Sequence, residues 1–73
     1  MRATIKQKQR GTSVKRERLA LGLNQTQLAD AAGVCRSAVV TAEKGAPIKS
    51  ATAHKLAAAL GKEFGDLFEV VIL

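Results

Sequence analysis

With 73 residues the chain is one small domain, and a domain of that size buries only about 60% of its unfolded surface. It has room for a core but hardly for a core plus a deep catalytic cleft. It holds no Trp or Tyr and only 2 Phe, so aliphatics and alanine must do the packing, which suits closely approaching helices. The net charge is +6, and it sits at one end: residues 1–18 carry seven basic residues against Glu17, while residues 19–73 carry five of each sign. Such a field suits a polyanionic partner; a solvated basic tail that aids solubility is the alternative.

Cys35 stands alone, so no intrachain disulfide can form. The N-terminus lacks the apolar run of a signal peptide, and no stretch approaches the ~18 consecutive apolar residues of a membrane span. A soluble, cytoplasmic protein in a reducing compartment is expected, with no membrane partner. His54 has no second His and no nearby Cys or acidic ligand, and reads as a surface or boundary residue. With no metal, nucleotide or nucleophile constellation, the chain is not expected to be an enzyme or to hold a cofactor.

Residues 1–11 are polar and basic, with a short alternating piece at Ala3-Thr4-Ile5-Lys6. Thr12 or Ser13 can cap a first helix running to about Leu21, with Val14, Arg18 and Leu21 on one face and Gly22 after its end. Asn24 is a good N-cap, and Gln27 three residues on completes a capping box. The second helix is then about Gln25–Ala32, with Leu28, Ala29 and Ala32 inward. Gly33 ends it by taking positive φ, and Val34 anchors the turn.

A third helix runs from about Arg36 to Lys44. Val39 and Ala42 face inward; Arg36, Ser37, Val40, Thr41 and Lys44 face outward. Gly45 ends it, and Pro47 enforces an extended connection. Ser50 caps a fourth helix ending near Leu60, with Ala53, Leu56, Ala57 and Leu60 at helical spacing and Gly61 closing it. A short fifth helix covers Glu63–Phe68. The ending Phe68-Glu69-Val70-Val71-Ile72-Leu73 is rich in β-branched residues and reads as a strand. A strand needs a partner: either the piece around Ala3–Gln7 or the same tail of a second subunit.

The stretch Leu23–Gly45, LNQTQLADAAGVCRSAVVTAEKG, carries the functional signal. Two short helices flank a tight turn, with small Ala29 where they cross and with Leu28, Val34 and Val39 filling the wedge. That is the layout of a helix-turn-helix that reads the DNA major groove. Arg36 at the start of the recognition helix can bind guanine O6 and N7 with two hydrogen bonds, worth about 1–3 kcal/mol of discrimination. Ser37 and Thr41 can donate or accept. Val40 would meet a thymine methyl, or else serve as a satellite of the core. The amides near Gln25 and Thr26 can hold a phosphate. Arg36 as an ordinary surface arginine is the bland alternative.

On VKRERLALGLNQTQLA, GVCRSAVVTAEKG, TAHKLAAALG and DLF, from about Val14 to Phe68, the chain resembles the lambda-repressor/Cro-like (Xre) family of small bacterial and phage DNA-binding proteins. The resemblance implies an all-α, compact five-helix bundle with a helix-turn-helix, acting as a homodimer on a palindromic operator. The notional terminal strands add the option of a small two-stranded antiparallel sheet. The resemblance further implies that Gln25 contacts phosphate and braces the start of the third helix. Arg36, Ser37 and Thr41 match its base-reading positions, and Lys44 matches the approach to the next phosphate. Arg18 and Glu43 match a pair bridging the first helix to the end of the third. An exposed pair would add only about 0–1 kcal/mol. The candidate DNA-binding set is Asn24, Gln25, Thr26, Arg36, Ser37, Val40, Thr41 and Lys44.

Three features depart from the pattern. Cys35 stands where Ser or Thr usually caps the recognition helix, as an unreactive thiol or a redox sensor. Ala42 is smaller than the usual aliphatic. The apolar tail Val70–Leu73 runs past the usual end. Lys6, Lys8 and Arg10 form either an arm touching DNA phosphate or minor groove, or a free or strand-paired basic tail.

The expected organisation is a single DNA-binding domain, 1–73, with a basic arm or strand at 1–11 and an apolar strand or tail at 69–73. The leading expectation is a transcription regulator, a repressor or Cro-like switch. An antitoxin that autoregulates its promoter and binds a toxin protein through the apolar tail is the second. A protein-interaction module that kept the fold without binding DNA is the third.

Overall fold

The computed structural model describes residues 3–8 and 13–72. Their elements run β1 (Ala3–Gln7), α1 (Val14–Ala20), α2 (Gln25–Ala32), α3 (Arg36–Glu43), α4 (Ser50–Ala59), α5 (Phe64–Leu67) and β2 (Phe68–Ile72). Arg10, Thr12 and Leu73 lie outside the described residues.

The all-α class does not hold. β1 and β2 form a two-stranded antiparallel sheet with Ala3 opposite Ile72, Ile5 opposite Val70 and Gln7 opposite Phe68, so the fold is mostly helical with a small sheet. The reason lies in the β-branched Val70, Val71 and Ile72, whose stiff side chains favour extended backbone. β1 supplies the hydrogen-bond partner they need. The ladder continues past β1, since the Lys8 N–H donates to the Leu67 carbonyl at 2.8 Å. On its other side β1 accepts a bond from the Ile48 N–H at 2.9 Å. The segment after Pro47 is thereby sewn to the sheet.

The core is Val14, Leu28, Ala29, Val39, Ala42, Ala53, Leu56, Ala57, Leu60, Leu67 and Phe68. Every helix contributes to it, and Phe68 brings β2 in as well. Ile5, Leu23, Val34 and Phe64 pack around its edge. Small Ala29 and Ala42 let α2 and α3 approach each other.

Most boundaries fall where the spacing puts them. Ser13 caps α1 by accepting from the Arg16 N–H at 3.0 Å. Asn24 and Gln27 form the reciprocal capping box, each bond 2.8 Å. Gly33 ends α2 in the left-handed region at φ 72°. Leu21 departs from expectation: α1 ends at Ala20, Leu21 leaves the helical repeat as C-cap, and its side chain is 53% exposed. Leu23 packs against the core instead. Lys49, not Ser50, is the N-cap of α4; Ser50 is its first residue. Lys44 is the C-cap of α3. The fifth helix shrinks to Phe64–Leu67 because Phe68 is already extended, at φ −129° and ψ 157°. His54 is exposed and stacks on Phe64, ring centroids 4.5 Å apart.

Phe68 is 1% exposed and joins sheet to bundle. Phe68→Ala should cost about 3–5 kcal/mol by urea unfolding, a large share of the roughly 5–15 kcal/mol that holds a small domain. A loss below about 1 kcal/mol would show that β2 is not anchored through this ring.

Candidate nucleic-acid interface

The interface is organised by a buried ion pair. The Arg18 Nε donates to Glu43 Oε2 at 2.8 Å and its Nη2 to Oε1 at 3.3 Å, while Nη1 bonds the Leu23 carbonyl at 2.8 Å. The two side chains are 9% and 7% exposed. The sequence allowed for an exposed pair of small worth. Burial changes the arithmetic, because removing one partner leaves an unpaired charge out of water. The pair is built by the fold: α1 presents Arg18 inward one turn from Val14, and α3 presents Glu43 beside Ala42. Among the described residues no buried side-chain polar atom lacks a partner.

From Glu43 the network runs outward. Gln25, half-buried at the first position of α2, donates from Nε2 to Glu43 Oε1 at 3.4 Å. Its Oε1 accepts from Arg36 Nη2 at 3.5 Å. Gln25 thus orients the exposed arginine at the first position of α3. Asn24, Gln25, Thr26, Arg36 and Arg18 line one shallow recess of about 400 Å³ at the N-terminal end of α2. Asn24 spends its side-chain oxygen on the capping box, which leaves its amide NH₂ as its side-chain donor.

Along α3, Arg36, Ser37 and Lys44 are exposed and Thr41 is half-buried. The Thr41 Oγ1 donates its proton to the Ser37 carbonyl at 2.8 Å, so toward a ligand it offers lone pairs. Val40 is half-buried but is not among the residues packed on the core. The only carboxylate on α3 is Glu43, which Arg18 neutralises. Lys44, at the far end of α3, stands apart from the recess and shares a different cleft with β1. Among the described residues no cluster of His, Cys, Asp and Glu could hold a metal. Nor is any helix among the described residues long and apolar enough to cross a membrane.

This arrangement of α2, tight turn and α3 with an outward polar face agrees with the comparisons. A helix-turn-helix family profile matches residues 14–67, from the start of α1 to the end of α5. The chain belongs to the lambda-repressor/Cro-like (Xre) helix-turn-helix family. This Xre-family chain is 42% identical over 59 residues to an uncharacterized HTH-type transcriptional regulator of Methanothermobacter thermautotrophicus, a match that covers 78% of the chain and 86% of the relative. No solved structure matches it. The Xre family is one of DNA-binding regulators and not of enzymes, which makes the chain a DNA-binding transcription regulator.

Cys35 occupies the N-cap of α3 without making a capping bond. Its exposed Sγ lies 3.1 Å from Ser37 Oγ. The Ser37 hydroxyl, and after it the Ala38 backbone, hold the thiol below its ordinary value, with desolvation opposing. The shift depends on the rotamer of Ser37, which no local pattern of residues encodes.

Two outcomes follow from this geometry. Arg18→Met or Glu43→Leu alone should each cost about 3–5 kcal/mol of unfolding free energy, and the double variant less than the sum. Additive losses would show that the two charges do not interact. Alkylation by iodoacetamide reports the thiolate, so Ser37→Ala should move the half-maximal rate to higher pH. An unmoved profile would remove Ser37 as the cause.

Proposed function

We propose that the chain is a sequence-specific repressor or Cro-like switch that works in the cytoplasm as one DNA-binding unit spanning residues 1–73. It binds a palindromic operator as a homodimer, with α3 in the major groove. The observation that carries this reading is the Arg18–Glu43–Gln25–Arg36 chain of bonds, which holds a bidentate donor at the start of an exposed helix face. Arg36 reads guanine, Ser37 and Thr41 read neighbouring base edges, and Val40 meets a thymine methyl. The amides and side chains of Asn24, Gln25 and Thr26 hold one phosphate, and Lys44 meets another.

The outer edge of β2 supports the dimer. Leu67 bonds toward Lys8 and Ile5 toward Ile48, so by the alternation of an antiparallel ladder the backbone groups of Phe68, Val70 and Ile72 point away from β1. Val70 and Ile72 are 56% and 65% exposed. Pairing this edge with its copy would satisfy the backbone and cover the apolar side chains. The same exposed residues support a second reading, an antitoxin whose tail binds a toxin protein.

Selection from a randomised duplex library tests the reading. An enriched palindrome, bound by two chains about 10³-fold or more over a scrambled duplex at physiological salt, is expected. Arg36→Ala should then lose about 1–3 kcal/mol on the operator and little on the scrambled duplex. Weak binding without enrichment that vanishes as salt rises would overturn sequence-specific regulation. A monodisperse dimer with β2 protected from hydrogen exchange would count against the toxin-binding reading.

A further inference from the structure

Two residues of the basic N-terminal segment, Lys6 and Lys8, have a definite place in the fold. Lys6 and Lys8 are not on a loose arm. Lys6 lies within β1, and Lys8 continues its ladder through the bond to Leu67. Two residues apart on an extended chain, they share one face of the strand. β1 packs against α3. This brings both lysines to a cleft of about 330 Å³ that also contains Lys44 and Gly45, at the C-terminal end of α3.

The cleft holds two carboxylates, and neither forms an ion pair with the lysines. Glu43 already belongs to Arg18. Glu69 stands opposite Lys6 in the strand register but forms no ion pair with it, and Lys6, Lys8 and Lys44 take part in no ion pair among the described residues. Three lysines therefore line the cleft with one uncompensated carboxylate. Lys6 and Lys8 are half-buried, and a lysine can lay its methylene stem along apolar surface while keeping its ammonium in water.

We propose that Lys6, Lys8 and Lys44 form a second backbone-phosphate site, at the opposite end of α3 from the recess at α2. This rests on the DNA-binding reading above and extends it. A helix lying in the major groove has a sugar–phosphate backbone on each side. The N-terminal end of α2 meets one. The lysine cleft meets the other and fixes the depth and tilt of α3, while carrying no sequence information of its own.

Binding of the selected operator and of a scrambled duplex is titrated with salt by fluorescence anisotropy, using the full chain. Each phosphate contact contributes about 0.9 to the slope of log K against log salt. Lys6→Gln/Lys8→Gln should lower that slope by roughly 1.8. It should weaken both duplexes by the same factor and leave the selected sequence unchanged. Lys6→Arg/Lys8→Arg should keep the slope. Glu69→Gln, which removes the uncompensated carboxylate, should strengthen binding to both.

Because charge substitutions in a strand can unfold it, ethylation interference on the wild-type chain gives a readout that needs no variant. Blocked phosphates should appear on both sides of the groove. An unchanged slope in a folded double variant, or interference on one side only, overturns the lysine site and leaves the helix-turn-helix reading intact. Absence of an enriched operator strikes the sequence-specific reading alone, since the slope on scrambled DNA still reports the lysines. Absence of any DNA binding at low salt overturns both.

Discussion

The Arg18–Glu43 pair is the constraint on which the other parts of the interface depend. A guanidinium and a carboxylate at 2.8 Å, both almost out of water, join the first helix to the end of the third. Desolvating two charges is costly, and the cost is offset here because their bonding capacity is used: Arg18 also binds a backbone carbonyl, and Glu43 also accepts from Gln25. An apolar pair of similar volume would pack as well. It would not reach the surface. Through Gln25 the buried charge reaches the exposed Arg36, so a packing decision in the core becomes an orientation at the surface.

The sheet adds a different kind of order. A bundle of short helices in a small chain has little core to spare, and several helices here run only four to eight residues. Phe68 both ends α5 and starts β2, burying its ring in the process. β1 bonds β2 on one side and Ile48 on the other, so the connection between α3 and α4 is held by main-chain bonds as well as packing. The basic strand thereby comes to rest beside the end of α3.

Much of the helix-turn-helix was legible in the sequence, because its requirements are local. The capping box of Asn24 and Gln27, the left-handed Gly33 and the inward Leu28, Val39 and Ala42 each follow from spacing within one or two turns. The all-α class failed where local signals end. A β-branched tail announces a strand, but whether a partner strand lies far away in the same chain is a question of tertiary structure. Leu21 misled for a related reason: helical spacing assumes that the helix continues, and α1 stops one residue short. The burial of Arg18 and Glu43, the committed hydroxyl of Thr41 and the lowered thiol of Cys35 each needed side-chain geometry that no periodicity encodes.

The pairing of Ala3 with Ile72 has a consequence for the order of assembly. Helices form from contacts a few residues apart, whereas this ladder closes a loop that encompasses all five of them. The entropy of such a closure is recovered only when both strands are in place. During synthesis β1 emerges before the helices and stays without its partner until β2, which follows them in the chain, has left the ribosome. The helices can organise in that interval, and the sheet then acts as the latch that closes around them.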